Sequence, residues 1–300
     1  MRKSNLIVAL CAPLLFIACN NSSEKKENKI IPMYLEESFK PLFETSIYTF
    51  EGQNPLADFD ANYVTELEAI EALIENKTST IGITRDFTED EKARLRLSKI
   101  EVRSDQIAKD AVAIIINPQN PDSTLTVDQI KRIISGQDTL WNGLKTGINV
   151  VFDNINSANF NYMTKLAGVK SVTKNVFAVK SNEEVIEYVK NNKSAIGIIG
   201  VNWISDEDDP ETLSFRDGLT VVAVAEDAGK EYFKPYQAYI YTKEYPLTRE
   251  LWLINKAGRT SKNTAFVLFM LGDKGQLIIQ KSSLIPANMV ARMIQMKTEE

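Results

Sequence analysis

Three predicted helix starts carry hydroxyl side chains that suit the binding of an oxyanion. Ser38 and Phe39 precede a predicted helix that begins near Pro41, Thr65 precedes a helix over 66–76, and Ser157 precedes a helix near 158–167. The first N–H groups of a helix have no partner within it and carry the positive end of the helix dipole. The sequence therefore predicts a site where several helix N-termini converge on a small anion.

A positive side chain follows one of the short apolar runs. Thr84 and Arg85 stand at the end of the run over 81–84, where a guanidinium would add a charge-assisted, bidentate donor to the same kind of site. The alternative is that Arg85 only forms a surface ion pair with Asp86 or Glu89. Both interpretations stay open at this point.

The composition restricts the chemistry that the chain can perform. The 300-residue sequence contains no histidine, which removes Ser-His-Asp and Cys-His nucleophiles and the commonest general base. Its formal charge of −5 disfavours nucleic-acid binding. We therefore expect a protein that is not an enzyme and needs neither metal nor cofactor, with a carboxylate-only or metal-assisted hydrolase as the alternative.

The N-terminus predicts export and a lipid anchor. Arg2 and Lys3 precede an apolar stretch over 6–18, which ends directly before Cys19. This pattern is typical of a lipoprotein signal over 1–18, with acylation of Cys19 and a polar tether over 19–29. Ordinary secretion is the alternative. We expect the protein on the periplasmic or cell-surface side of the envelope, attached to the membrane through this lipid.

Short apolar runs alternate with amphipathic helices, which predicts an α/β protein with largely parallel sheets. The predicted strands are 81–84, 111–117, 148–152, 195–200, 219–225 and 236–242. Capping boxes predict four helix starts, at Thr65/Glu68, Thr88/Glu91, Thr126/Gln129 and Ser181/Glu184. Gly136 and Gly168 are expected to end the helices over 127–135 and 158–167.

The length suits two lobes rather than one core. The turn-rich stretches at 117–121 and 205–210 flank a compact middle segment. We expect one lobe from residues 30–116 and 222–300, and an inserted second lobe from 117–221. Two crossings between the lobes would allow a cleft to hinge shut on a small ligand.

Several stretches carry a family resemblance. The segment over 110–144 (DAVAIIINPQNPDSTLTVDQIKRIISGQDTLWNGL) closely resembles the phosphate-binding proteins of ABC phosphate transporters, with a strand ending in Asn-Pro, a helix starting Leu-Thr-x-x-Gln, then Ser-Gly and Trp-Asn. The stretches 81–91, 193–206, 245–254 and 272–287 are similar to further parts of that family. The resemblance spans nearly the whole chain after the tether and implies the two-lobed periplasmic binding protein fold of the second type, with a hinge and an interlobe cleft.

The resemblance also implies roles for individual residues. Hydroxyl and main-chain groups hold the ligand in the family, which places Ser38, the main chain of Phe39, Thr65 and Ser157 at the site. Ser38 and Thr65 are also good helix N-caps, so a purely structural role is the alternative.

The second-lobe motif differs from that of the family. The family has an arginine shortly before Gly-Ser-Gly-Thr, whereas this chain reads FDNINSAN over 152–159. Asn156 and Asn159 are expected to replace some of the lost donors.

Asp153 offers a way to tell phosphate from sulfate. A carboxylate in the site accepts the proton that HPO4²⁻ carries and sulfate lacks. The alternative is a turn residue at the end of a strand.

The sequence thus predicts a monomeric solute-binding lipoprotein that delivers phosphate or a similar small anion to an ABC permease. One alternative is the same fold with a different ligand, and another is a surface or signalling lipoprotein with a protein partner. Aromatic residues near element ends invite sugar stacking, but such residues more often pack in the core or between lobes.

Overall fold

The computed structural model describes residues 30–169, 173–205 and 210–288, and strands alternate with helices throughout them. The strands are β1 (Ile31–Glu36), β2 (Phe59–Val64), β3 (Thr80–Ile83), β4 (Arg103–Ile116), β5 (Thr124–Thr126), β6 (Asn149–Phe152), β7 (Val176–Ala178), β8 (Ala195–Gly200), β9 (Thr220–Val221), β10 (Ala223–Ala225), β11 (Thr248–Asn255) and β12 (Ile285–Pro286). The helices are α1 (Lys40–Gln53), α2 (Glu66–Ile74), α3 (Glu89–Leu97), α4 (Val127–Ile134), α5 (Ala158–Ala167), α6 (Asn182–Asn191), α7 (Pro210–Arg216), α8 (Gln237–Tyr241), α9 (Lys262–Leu271) and α10 (Asp273–Lys281). Two 3-10 turns cover Glu37–Phe39 and Val201–Trp203. The predicted α/β class is confirmed.

One long strand runs through both halves of the sheet. The strand order is β2-β1-β3-β11-β4-β8-β6-β7, and the 14-residue β4 lies in the middle. Its first part pairs with β11, from Arg103↔Asn255 to Ala111↔Thr248, and its last part pairs with β8 from Val112 to Ile116. The two halves therefore share a single strand, and the cleft described below lies where β4 passes from one half to the other.

The sheet is mixed rather than largely parallel, so that prediction was wrong. The pairs β1–β2, β1–β3, β6–β7 and β6–β8 are parallel, whereas β11 and β4 pair antiparallel with each other and with their other neighbours. The apolar pattern of a buried strand does not record its direction, because a strand covered on both faces is apolar throughout either way.

The predicted helix starts are confirmed. Reciprocal capping boxes form at Thr65/Glu68, Thr88/Glu91 and Thr126/Gln129. Ser181 accepts the hydrogen bond of the Glu184 N–H, although the Glu184 carboxylate accepts from the N–H of Lys180. Gly168 ends α5 with a φ of 68°, and Gly136 follows the end of α4 with a φ of 73°.

Two predicted strands differ from the structure. Residues 236–242 were predicted as a strand, but Gln237–Tyr241 form the short helix α8. The side chain of Gln237 donates to the main-chain oxygens of Gln280 and Leu284 at 3.0 and 2.7 Å, which ties α8 to α10. The run over 219–225 divides into β9, which pairs with β4, and β10, which pairs with β5.

The core is continuous across the junction between the halves. All six residues of β8 are buried, and α6 packs against this strand. In the other half, Phe50 packs its ring against Phe59, Phe266 and Phe269 at centroid distances of 5.4–5.8 Å. Within the described ranges, no helix is both long and apolar enough to cross a membrane.

Candidate functional site

The carboxyl end of β1 brings two buried polar side chains to the junction. Glu36 and Ser38 are both fully buried. One Glu36 oxygen accepts from the Ser38 N–H at 2.9 Å, and the other accepts from the Ala158 N–H, at the start of α5, at 3.2 Å. The Ser38 Oγ has no hydrogen-bond partner among the described residues. Glu36 therefore bridges the two sides of the cleft and occupies a buried N-terminal donor of α5.

A buried arginine completes the same site. Arg249 lies on β11 directly opposite Asp110 on β4, and its Nε donates to the Asp110 Oδ2 at 2.6 Å. The guanidinium carbon lies 5.1 Å from the centre of the Phe39 ring. The Nη1 and Nη2 atoms are buried and make no hydrogen bond within the part of the chain that the structure describes. The two ends of this guanidinium are therefore available to a ligand.

A glycine makes room for this guanidinium. A Cβ on Gly200, at the end of β8, would lie 3.3 Å from the Arg249 Nη2 and 2.8 Å from the Asn202 Oδ1. Both distances are shorter than ordinary carbon contacts. The absence of a side chain at Gly200 thus lets Arg249 reach from the first lobe to the end of a second-lobe strand. We call Glu36, Ser38, Asp110 and Arg249 the Arg249 cluster.

In the second lobe, three uncharged side chains donate hydrogen bonds to the carboxyl group of Asp153. Ser157 Oγ donates to the Asp153 Oδ1 at 2.7 Å and accepts from the Phe160 N–H at 3.1 Å as the N-cap of α5. The Asn159 amide donates to the Asp153 Oδ1 at 3.4 Å, and the Asn182 amide donates to the Oδ2 at 3.4 Å. All four side chains of this lobe-2 cluster are buried.

A third polar group lies around Arg85. Its Nη1 and Nη2 donate to the two Glu91 oxygens at 2.7 and 2.9 Å, and its Nε lies 3.1 Å from the Glu66 Oε1. Thr84 Oγ1 donates to the Glu66 Oε2 at 3.1 Å. Every nitrogen of this guanidinium lies near a carboxylate oxygen, so Arg85 forms ion pairs, but its partners are Glu66 and Glu91 rather than the predicted Asp86 or Glu89. We call Glu66, Thr84, Arg85 and Glu91 the Arg85 cluster.

Burial dominates the electrostatics of the cleft. Desolvation raises the pKa of Glu36 to about 8, with Arg249 opposing this shift and Asp153 reinforcing it. Desolvation, with the charge of Asp153 next in size, raises the pKa of Glu37 to about 7. The pKa of Asp153 is raised by burial as well, although its hydrogen bonds to Ser157 and Asn159 oppose the change. Burial opposes the charge of Arg249, but Asp110, Glu36 and Asp153 outweigh it and raise the pKa of the guanidinium.

The structure brings some of the predicted site residues together and leaves others apart. Ser38, Asp153, Ser157 and Asn159 lie buried at the junction, and Phe39 packs its ring beneath Arg249. The remaining predicted residues are partnered elsewhere or exposed.

The Thr65 hydroxyl is engaged in its capping box with Glu68, so its side chain has a structural partner. Asn156 is exposed on the turn before α5, where its N–H donates to the Asn154 Oδ1 at 2.8 Å. The predicted signal over 1–18, the acylated Cys19 and the tether over 19–29 lie outside the described residues.

Sequence reasoning missed Arg249, Glu36 and Asn182. A signal for Arg249 was present, because it shares the buried face of β11 with Leu251 and Leu253. A lone arginine on the apolar face of an alternating strand must find a buried partner. Glu36 also had a local signal, since it stands two residues before the predicted site residue Ser38. For Asn182 we find no comparable local signal.

The donor set suits an oxyanion better than a metal ion. In the Arg249 cluster, the atoms without a hydrogen-bond partner among the described residues are three donors, the Arg249 Nη1 and Nη2 atoms and the Ser38 hydroxyl, and one carboxylate oxygen, the Asp110 Oδ1. No group of three or more His, Cys, Asp or Glu side chains within the described ranges is arranged to hold a metal ion.

Two sheet halves that share β4, with a polar cleft at their junction, define the two-lobed type 2 periplasmic binding protein fold. The chain matches the family model for a PBP superfamily domain over residues 36–274 and belongs to that superfamily.

Relatives and solved structures agree with this assignment. The chain is 24% identical over 247 residues to the phosphate-binding protein PstS of Staphylococcus haemolyticus, which covers 79% of this chain and 74% of that protein. It is 26% identical to the PstS of Staphylococcus aureus strain USA300, covering 64% of this chain and 59% of that protein.

Among solved structures, a putative phosphate ABC transporter substrate-binding protein with bound phosphate from Clostridium perfringens superposes with a TM-score of 0.72 at 23% identity, covering 86% of this chain and 99% of that one. An ABC-type phosphate transport receptor from Vibrio cholerae superposes with a TM-score of 0.66 at 20% identity, covering 86% and 100% of the two chains. At these identities the structural likeness establishes the fold.

Proposed function

We propose that this protein is the extracytoplasmic solute-binding component of an ABC uptake system, that it binds phosphate between its lobes, and that it delivers the anion to a permease. The observation that carries this proposal is the guanidinium of Arg249, which is buried at the junction with two nitrogens that have no partner among the described residues. An unpaired buried donor is costly, and an oxyanion is the ligand that offers it charge-assisted hydrogen bonds.

The remaining donors add to the contacts of Arg249 in this proposal. The Ser38 Oγ is buried without a partner, and the Ser38 and Ala158 N–H groups point at one carboxylate from opposite lobes. The N-terminus of α5 adds the positive end of its dipole. Arg249 thereby supplies the charge that the missing second-lobe arginine would have supplied.

Closure over the ligand would use contacts between the proposed lobes, 30–116 with 222–300 and 117–221. Lys40 forms an ion pair with Glu183 at 2.9 Å, and the Trp203 Nε1 donates to the main-chain oxygen of Ser38 at 2.8 Å. Both pairs join residues of different proposed lobes. The two crossings of the chain would act as the hinge.

The proposal extends to a monomeric lipoprotein anchored through Cys19. Its support is the signal-like N-terminus, with a cysteine directly after Ala18. Cys19→Ser should release the protein from the membrane fraction and abolish incorporation of a labelled fatty acid. Retention of both properties in the variant would contradict the anchor.

Calorimetric titration of residues 20–300, after removal of bound phosphate, tests the binding function. We expect phosphate to bind tightly and sulfate weakly. Asp153→Asn tests whether Asp153 reads the proton of HPO4²⁻, since the variant should then lose its preference for phosphate over sulfate. An unchanged preference would leave Asp153 with the structural role of holding Ser157 and Asn159.

A second candidate is a different small ligand in the same cleft. It is favoured by the carboxyl groups of Glu36, Asp110 and Asp153, which all face the buried cation Arg249. A ligand that carries an amino group as well as an acid would suit this balance. The absence of any heat with phosphate or sulfate would favour this candidate.

A further inference from the structure

The Glu36 carboxylate occupies the donors that an anion would use. Its two oxygens accept from the Ser38 N–H on one side of the cleft and from the Ala158 N–H on the other, at 2.9 and 3.2 Å. The side chain is fully buried, and it faces the guanidinium of Arg249. A carboxylate and a phosphate oxygen compete for the same N–H groups, because each is a charged acceptor.

We propose that Glu36 must carry a proton for the cleft to take up phosphate, so that this residue sets the pH range in which the protein binds. The inference rests on the proposed function. An ionised Glu36 is a competitor that holds both N–H groups and repels the ligand. A neutral Glu36 releases them to the anion and presents its own O–H as a further donor.

The charges around Glu36 fit this role. Arg249 on β11 is the cation that faces it, and Asp110 on β4 neutralises that cation from behind. Asp153 at the end of β6 faces Glu36 from the second lobe, Glu37 lies beside it, and the N-terminus of α5 donates through Ala158.

One arginine thus faces three carboxyl groups, Glu36, Asp110 and Asp153, before any ligand arrives. Adding an anion increases the excess of negative charge, and protonating one carboxyl group is the smallest change that relieves it. Burial of Glu36, which raises its pKa to about 8, favours this group as the one that holds the proton.

The experiment is titration of residues 20–300 with phosphate at about pH 6, pH 8 and pH 9.5. Between the two higher pH values phosphate is present mainly as the dianion. We expect the wild-type affinity to fall about tenfold between about pH 8 and pH 9.5, and that of Glu36→Gln to change less than about twofold. Glu37→Gln is the matched control and should keep the wild-type slope. Circular dichroism establishes that each variant is folded.

A second measurement needs no variant. Wild-type titration at about pH 9 in two buffers of different ionisation enthalpy should reveal uptake of about one proton per phosphate bound. Loss of the slope in Glu36→Gln together with this uptake supports the proposal.

A flat wild-type profile without proton uptake overturns the inference and leaves the proposed function standing. A slope that persists in Glu36→Gln but disappears in Asp153→Asn also overturns it, because the proton then resides on Asp153. If neither the wild type nor Glu36→Gln binds phosphate at any pH, the proposed function and this inference are overturned together.

Discussion

The Arg85 and Arg249 clusters contain the same kind of group in opposite situations. The side chain of Arg85 is 40% exposed, and its three nitrogens all face the carboxylates of Glu66 and Glu91. The side chain of Arg249 is 4% exposed, and within the described ranges only its Nε is hydrogen-bonded, through donation to Asp110. The first guanidinium is saturated by the protein, whereas the second retains two donors at the lobe junction.

This difference separates structural from ligand-binding charge. A bidentate carboxylate such as Glu91 uses the geometry with which a guanidinium would otherwise grip an oxyanion. Asp110 instead accepts a hydrogen bond from the Arg249 Nε, and this bond holds the arginine side chain in place. The Nη1 and Nη2 atoms of Arg249 stay without a partner among the described residues. Availability of donors, rather than the presence of an arginine after a strand, therefore favours Arg249 over Arg85 as the proposed binding residue.

The largest expected effect is on phosphate affinity. Arg249→Gln, made together with Asp110→Asn to avoid an unpaired buried charge, should weaken phosphate binding by about 100-fold or more, because two charge-assisted hydrogen bonds are lost. Arg85→Gln should change the affinity less than about threefold, since its donors are already occupied. Calorimetric titration compares the two. Equal losses would remove the distinction between the clusters.

The next effect concerns stability. Asp110→Ala leaves the buried guanidinium of Arg249 without its partner and should cost about 3–5 kcal/mol of unfolding free energy. Glu91→Ala breaks a partly exposed pair and should cost about 1 kcal/mol. Urea denaturation monitored by circular dichroism measures both. A smaller cost for Asp110→Ala than for Glu91→Ala would show that the Arg249 pair is not buried as described.

The two clusters should also respond to pH with opposite sign. The pKa of Glu36 rises to about 8 on folding, so its contribution to stability is lost as pH increases from about 4.5 to about 8. Burial raises the pKa of Glu91, but hydrogen bonds from Arg85 and Thr88 outweigh burial and lower this pKa to about 2. The contribution of Glu91 to stability is therefore lost as pH decreases below about 4.5.

Thermal unfolding of Glu36→Gln and Glu91→Gln between about pH 4 and pH 9 compares these slopes. We expect Glu36→Gln to gain Tm relative to the wild type at about pH 8.5, by about 2–4 °C for each kcal/mol recovered. Glu91→Gln should lose Tm near neutral pH and approach the wild type in acid. Parallel pH profiles for the two variants would contradict the assignment.

The smallest effect distinguishes two N-caps. Thr65→Ala and Ser157→Ala each remove a helix cap, so each should lower the unfolding free energy by about 0.5–2 kcal/mol. Ser157→Ala also removes one of the two hydrogen bonds to the Asp153 Oδ1 next to the proposed anion and should reduce phosphate affinity, whereas Thr65→Ala should leave the affinity within about twofold. A loss of affinity in Thr65→Ala would restore the ligand-binding role that the family resemblance implies.

Local elements were largely predictable from the sequence because their causes are local. A capping box such as Thr126/Gln129 needs only residues three positions apart, and a C-terminal glycine such as Gly168 adopts positive φ without a steric penalty. The failure at 236–242 has a tertiary cause. The aromatic alternation favoured a strand, but Gln237 bonds to carbonyl oxygens of residues 280 and 284, which the local pattern does not contain.

The candidate site divides along the same line. The sequence by itself determined that Ser38 and Ser157 stand at helix starts, and that Asp153 follows a buried strand. Only the tertiary structure decided that Arg249 pairs with Asp110, which lies 139 residues away in the sequence but on the adjacent strand. It also decided that Glu36 reaches Ala158 across the cleft. Helix caps are made by neighbours along the chain, whereas a buried charge is defined by whichever distant groups the fold places around it.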